Sequence, residues 1–373
     1  MAAPATTAAL LAVLAFALSG LATRASIAYA LRRRLIDQPG QRRSHTVPTP
    51  RGGGIAIVAA ILLCVGVPIA LWAPERWPVV AAIALVAAIG WIDDHRPLGA
   101  ATRLAVHALA ALLVCMPTLL AFATDPGPAM QALASPYGAV LAGYLLLVLV
   151  VVVTIVWSIN LHNFMDGIDG LLALQALFVF VAMAVLLGRY GAPAPAAAAL
   201  VMAAAVGGFI PFNFPRARIF MGDVGSGVLG LLIALLGLAH LGQTALAPVN
   251  VAIVCSAFVV DASATLLSRM LRGRRWYSAH REHLYQWLVR SGRSHPRVVA
   301  FYALWNLGVV VPVLCWINRS PRVSGAMSNI AIGPFEAPPA VWGACAAVYA
   351  GGLVLWCAGR RHCLRRVRTR SAR

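Results

Sequence analysis

An all-α, polytopic membrane helix bundle is the fold class this 373-residue chain predicts, and three observations carry it. Hydrophobic residues make up 61% of the chain and charged ones only 11%, against about 25% charged in a soluble globular domain. Mean hydropathy is +0.82. Apolar stretches long enough to cross a bilayer recur from one end to the other, and we read eleven of them.

The first, residues 7–23, has no charge before it and Arg24, Arg32, Arg33 and Arg34 after it. That is the reverse of a cleavable secretory signal, so the segment stays as a membrane helix with its N-terminus outside. After a loop at 32–54 come spans 55–73 and 78–92, the second short and closed by Asp93 and Asp94. Spans 104–123 and 138–159 flank an outer loop at 124–137. A break reading NFMDGIDG at 163–170 leads into span 169–188, and 194–212 follows. A second break, FMGDVGSG at 220–227, opens 226–241. Span 246–270 is long enough to tilt or break and carries Asp261. A basic loop at 271–296, span 297–317, an outer loop at 318–338, span 339–358 and a tail at 359–373 complete one domain covering residues 1–373, with no internal repeat.

Charge bias orients the bundle. Alternating from an outer N-terminus leaves only Arg76, Arg189, Arg319 and Arg322 outside, of 30 basic residues, as the positive-inside rule requires. The C-terminus is then cytoplasmic. The net charge of +19 becomes a collar facing anionic lipid and anionic substrates, and nucleic acid is an unnecessary inference. Trp72, Trp77, Trp91, Trp157, Trp316 and Trp356 fall near predicted helix ends, where an aromatic belt belongs. Six of the seven cysteines lie in apolar runs, with neither disulfide nor zinc spacing.

Only 11 residues are acidic, yet Asp93, Asp94, Asp166, Asp169 and Asp223 all sit at breaks facing one leaflet. Asp93 and Asp94 end a helix where the macrodipole disfavours negative charge, so a cation must compensate; His95 and Arg96 are the bland candidates. Asn163, Asp166 and Asp169 are spaced i, i+3, i+6, and a helical start to the sixth span predicts one arc of oxygen ligands, more than capping needs. Asp223 or Ser226 would serve the eighth span as an N-cap, or Asp223 as a metal ligand. A few hard oxygens, completed by water and substrate phosphate, are what Mg²⁺ prefers. Asp261 would cost about 2.5–3.5 kcal/mol at the bilayer centre, so it should face the bundle. In the loop 271–296, Arg272, Arg274, Arg275, His280, Arg281, His283, Arg290 and Arg293 read either as a positive-inside signal or as a grip on a pyrophosphate. The H-x-x-H spacing of His280 and His283 lacks a third ligand for zinc.

Together these stretches resemble the polyprenyl-phosphate N-acetylhexosamine-1-phosphate transferases, the glycosyltransferase family 4 enzymes that include the phospho-N-acetylmuramoyl-pentapeptide transferases. In order they are DQPGQRRSHTVPTPRGGG from Asp37, the Asp93–Asp94 pair, NLHNFMDGIDGLLA from Asn160, NFPRARIFMGDVGSG from Asn213, FVVDASATLLSR from Phe258 and AHREHLYQ from Ala279, across residues 20–310.

The resemblance implies transfer of an N-acetylhexosamine 1-phosphate from a UDP-sugar to undecaprenyl or another polyprenyl phosphate, releasing UMP, in a bacterial inner membrane. Asp223 and Asn163 would ligate Mg²⁺ or Mn²⁺, and Asp93 and Asp94 would be catalytic, binding or deprotonating the lipid phosphate. Asp166, Asp169 and Asn213 would form the nucleotide-sugar pocket, with His280, Arg281 and His283 holding the diphosphate. Arg43, His45 and Arg51 are implied for the acceptor phosphate, although arginine stands where some relatives use lysine. PTPRGGG and AHREHLYQ resemble the branch that initiates O-antigen and other surface polysaccharides more than the muramoyl-pentapeptide branch. A lipid or solute transporter is the reading from another class, but the acids sit at helix ends rather than at a midplane. A homodimer is the assembly to test.

The orientation has a direct test. A cysteine introduced in loop 124–137 should react with an impermeant maleimide added outside, and one in loop 271–296 should not; the opposite pattern would invert every loop.

Overall fold

Long runs of Leu, Ala, Val and Ile in lipid have to satisfy their own backbone, and the α-helix does so within one segment. The computed structural model describes residues 2–40, 47–125, 127, 137–275, 280–319 and 337–371. Among them, eleven helices are long and apolar enough to cross a membrane, and each overlaps one predicted span. The bundle is built from α1 (Ala2–Arg33), α2 (Gly54–Ile61), α3 (Val67–Trp72), α4 (Trp77–His95), α5 (Ala100–Thr124), α6 (Tyr137–Phe164) and α7 (Leu171–Arg189). It continues with α8 (Pro193–Asn213), α9 (Asp223–Leu241), α10 (Ala247–Met270), α11 (Leu284–Arg290), α12 (His295–Trp305), α13 (Val311–Arg319) and α14 (Pro339–Ser371).

The differences from expectation have physical causes. Helix α1 runs on to Arg33 and α14 to Ser371, because arginine ends a hydrophobic run without ending a helix. Two spans contain a π-helical turn, Leu62–Gly66 and Asn306–Val310, each just ahead of a proline (Pro68, Pro312) that lacks an N–H and crowds the preceding turn. The sixth span starts at Leu171, not 169, so the expected helical arc of Asn163, Asp166 and Asp169 does not form. Asn163 lies in the last turn of α6, and the two aspartates occupy the turn after it, where Gly170 takes φ 75°.

Helix α9 is the hub, packed by α2, α4, α6, α7 and α10. Glycines at its contacts admit the neighbours: a Cβ on Gly54 of α2 would lie 2.3 Å from the Cα of Gly225, and one on Gly90 of α4 would lie 2.6 Å from the Cα of Val224. Helix α1 packs on α2 and α8, α4 packs on α5, and α14 packs on α10 and α11. A two-stranded antiparallel pair, Ile36–Asp37 against Thr49–Pro50, closes the first loop. That loop is stitched to the segment before α9, since Phe220 N donates to Pro50 O (2.8 Å), Gly53 N to Phe220 O (2.9 Å) and Gly54 N to Met221 O (2.7 Å).

Candidate active site

Helices entering and leaving at one end of the bundle bring the acids together. At the end of α4 the Asp94 carboxylate accepts hydrogen bonds from the amides of Asp223 (3.1 Å) and Val224 (3.2 Å), the first residues of α9. Neither Asp223 nor Ser226 caps that helix with its own side chain; Asp94 does so from another helix. Gly222 makes room, with φ 77° and a position where a Cβ would fall 2.5 Å from Asp94 Oδ2. Asp93 accepts from the Leu98 amide (2.5 Å) and from Arg103 (2.9 Å), and the same Arg103 nitrogen reaches Asp223 Oδ2 at 3.3 Å. The positive charge at this helix terminus therefore comes from Arg103, helped by the positive end of the α9 dipole. His95 turns instead to the Trp91 carbonyl (2.8 Å) and to Tyr29 Oη (3.1 Å).

A cavity of about 330 Å³ opens where these groups meet. Asp94, Asp223 and Arg51 line one side, and Asn163, Asp166 and Asp169 another. Arg51 donates to the Asp94 carbonyl and its amide bonds Leu35 O at 3.1 Å, so the first loop delivers it to the acidic cluster. Asn213 borders the cavity, but its amide spans Gly170 N (3.0 Å) and Ile219 O (3.0 Å), fastening one break to the other. Arg43 and His45 lie outside the described residues.

Loop 271–296 contributes differently from expectation. His280, Arg281 and His283 are absent from the cavity lining. His283 is 2% exposed and packs against Phe164 and Tyr285. Burial pushes the His280 imidazole down to about 4, with help from His283 and Arg269, and burial also lowers His283. Arg272 (3.1 Å), Arg274 (3.0 Å) and Arg269 converge on Glu282. Burial raises that carboxyl, but the Arg274 hydrogen bond and the three positive charges outweigh it and hold it below its usual range. Part of the basic loop is thus neutralised within itself.

Three residues in or beside the site, two of them lining the cavity, escaped the sequence reading. His295 lines the cavity, its Nδ1 3.2 Å from Asp169 Oδ2. The signal for it was Ser294-His295-Pro296, a helix start that places His295 opposite the NFMDGIDG turn. Gln286 also lines the cavity and donates to Tyr285 Oη (3.1 Å), which in turn donates to the Phe164 carbonyl (2.9 Å). Arg103, one turn into α5, carried no signal beyond being a lone cation ten residues after Asp93. Asp261 faces the bundle as expected and is 2% exposed. It accepts from the amides of Leu284 (2.7 Å) and Tyr285 (3.3 Å), from Tyr302 Oη (2.7 Å), Trp356 Nε1 (3.1 Å) and Thr265 Oγ1 (3.3 Å).

Among the described residues no group of three or more His, Cys, Asp or Glu side chains forms a metal cage by itself. Asp223 and Asn163 on one cavity are nonetheless hard oxygen donors, and they fit a divalent ion completed by water and substrate phosphate better than an all-protein site.

The family model described as glycosyl transferase family 4 matches residues 77–240. The decaprenyl-phosphate N-acetylglucosaminephosphotransferase of Mycobacterium tuberculosis (strain ATCC 25618 / H37Rv) is 33% identical over 78% of this chain and 78% of its own length. The probable undecaprenyl-phosphate N-acetylglucosaminyl 1-phosphate transferase of Bacillus subtilis (strain 168) is 26% identical over 77% of this chain and 78% of its own. The phospho-N-acetylmuramoyl-pentapeptide-transferase of Chlamydia muridarum (strain MoPn / Nigg) is 30% identical, over 50% of this chain and 61% of its own.

Asp166 supplies a pH test. Burial, then the charges of Asp94 and Asp169, push its carboxyl up to about 7 from 3.8. The folded protein holds this proton where the unfolded chain has released it, so the stabilisation is full below the unfolded value and is lost as pH rises through the folded one. The melting temperature of the ligand-free protein minus that of Asp166→Asn should fall between pH 5 and pH 8, a range of about three units around that value. A constant difference would refute the shift.

Proposed function

The chain belongs to glycosyl transferase family 4, and from that premise we propose that it transfers N-acetylglucosamine 1-phosphate from a UDP-linked donor to a polyprenyl phosphate, releasing UMP. The observation that carries the reading is one cavity bordered by Asn163, Asp166 and Asp169 of one break, Asp94 and Asp223 of two others, and Arg51 of the first loop. N-acetylglucosamine is favoured because the relatives matched over more than three quarters of this chain carry that sugar in their names, whereas the muramoyl-pentapeptide relative is matched over half of it. The product would begin O-antigen or another surface polysaccharide, with the cavity on the cytoplasmic side of a bacterial inner membrane and the N-terminus outside.

In this reaction an oxygen of the lipid phosphate attacks the β-phosphorus of the donor. A new P–O bond forms as the bond to the bridging oxygen breaks, and that oxygen leaves with UMP. The nucleophile is already anionic, so positioning and charge neutralisation matter more than proton removal. Arg51 binds the acceptor phosphate and holds it beside Asp93 and Asp94. Asp94 fixes the α9 amides through its two oxygens, and Asp93 is oriented by Arg103. Asp166, Asp169 and Gln286 line the donor side, where His295 is steadied by Asp169. Asp223 and Asn163 would hold Mg²⁺ or Mn²⁺, which when bound supplies positive charge to the diphosphate.

Purified protein given a polyprenyl phosphate and a panel of UDP-sugars should release UMP with UDP-N-acetylglucosamine, and EDTA should abolish the release. Asp223→Asn should lower turnover by at least about a hundredfold while the protein still inserts and melts cooperatively. Full turnover in EDTA, or by Asp223→Asn, would remove the metal role, and no release with any UDP-sugar would sink the reading.

A further inference from the structure

The span from His295 to Arg319 changes helix type inside the bundle: α12 ends at Trp305, a π-helical turn covers Asn306–Val310, and α13 follows. Asn306 opens that turn. It is buried, and its Nδ2 donates to Oε1 of Gln175, a buried residue of α7, at 2.7 Å. Two carboxamides joined by one bond leave a donor and an acceptor over, and here Gln175 Nε2 and Asn306 Oδ1 have no hydrogen-bond partner among the described residues. Exchanging O and N in both side chains reverses the bond and leaves the same deficit. Buried polar atoms without partners cost stability that an aliphatic pair of similar size would not, so stability does not account for this pair.

Its position in the fold suggests what it does. Helix α7 starts two residues after Asp169 and α12 starts at His295, and these two side chains line the acidic cavity with His295 Nδ1 3.2 Å from Asp169 Oδ2. Gln175 lies one turn into α7 and Asn306 directly follows α12, so the same two helices are joined once at the cavity and once inside the bundle. Tyr302 bonds Asp261 (2.7 Å) and Trp305 bonds Ser256 (3.1 Å), which fastens α12 to α10. The amide pair fastens it to α7. One extra residue in a π-helical turn rotates the helix before it by about 100° relative to the helix after it. The direction in which α12 presents His295 is therefore set at the turn that Asn306 opens.

We propose that the Gln175–Asn306 pair is a positioning element, fixing the rotation and spacing of α12 against α7 and so holding His295 in register with Asp169 on the donor side of the cavity. The donor side rests on the transferase reading given above; the tie between the helices does not.

Kinetics and amide exchange on the full-length chain test it. Gln175→Leu and Asn306→Leu should each raise the KM for UDP-N-acetylglucosamine by about fivefold or more, since a misplacement of about 1 Å costs up to about a hundredfold, and leave the KM for decaprenyl phosphate within about twofold. Neither should lower the melting temperature by more than about 2 °C. The exchanged pair, Gln175→Asn with Asn306→Gln, keeps one amide bond and should return the donor KM to within about twofold of wild type. In a His295→Ala background Gln175→Leu should add less than about twofold, because the pair acts through His295. In the ligand-free protein Gln175→Leu should speed exchange of the amides of residues 298–301 by about fivefold or more and leave those of Val311–Arg319 unchanged. A donor KM within about twofold of wild type in both leucine variants would overturn the proposal, and so would a Gln175→Leu effect that multiplies in full with that of His295→Ala. A lowered melting temperature with lost turnover at unchanged KM would assign the pair to stability alone and overturn it too. If no UDP-sugar supports turnover the transferase reading fails, and exchange at residues 298–301 still decides the tie, wild-type rates there being the contrary result.

Discussion

The Asp94 carboxylate bonded to the first two amides of α9 is the contact on which the geometry of the site depends. A helix N-terminus buried in a bundle has N–H groups that water cannot reach, and it carries the positive end of the macrodipole. A carboxylate at the end of α4 has the opposite difficulty, because its own helix repels it. Bringing the two ends together answers both. It sets α4 against α9 at the point where Gly90 lets their backbones touch, with a Cβ there only 2.6 Å from Val224. Each charge-assisted bond of this kind is worth about 1.5–3 kcal/mol, enough to hold Asp223 in one place.

The same device recurs at the other side of the cavity. Asp261 of α10 accepts the first amides of α11 and is held by Tyr302 and Trp356 from α12 and α14. Helix α11 in turn carries Gln286 into the cavity and seats Tyr285 on the NFMDGIDG turn. There a Cβ on Gly167 would fall 2.1 Å from the Tyr285 hydroxyl, so the glycine is required by the tyrosine. Two of the acids in the motifs thus act as caps supplied from other helices, and they leave Asp166, Asp169 and Asp223 to face the cavity. Arg103, between Asp93 and Asp223, offsets part of the repulsion that their closeness creates.

The spans were legible because hydrophobic length is a local property, and so were the breaks, because acids are scarce in this chain. Which acid does what was not, since a cap provided by a distant helix leaves no spacing to read: Asp94 and Asp223 are 129 residues apart. The arc expected of Asn163, Asp166 and Asp169 failed for a related reason. Gly170 and the Phe214 ring packed on it turn the chain before α7 begins, yet the three side chains still border one cavity. In the basic loop the cations were legible but their internal pairing was not: Glu282 draws three arginines to itself. His295 lay in plain sight beside Pro296, but its partner Asp169 is 126 residues away.

Amide hydrogen exchange over residues 220–227 in wild type and Asp94→Ala tests most directly whether Asp94 holds the start of α9. Loss of the cap should speed exchange of the Asp223 and Val224 amides by about tenfold or more, while amides of Leu171–Arg189 keep their wild-type rates. Unchanged protection at Asp223 and Val224 in a variant that folds like the wild type would contradict the account.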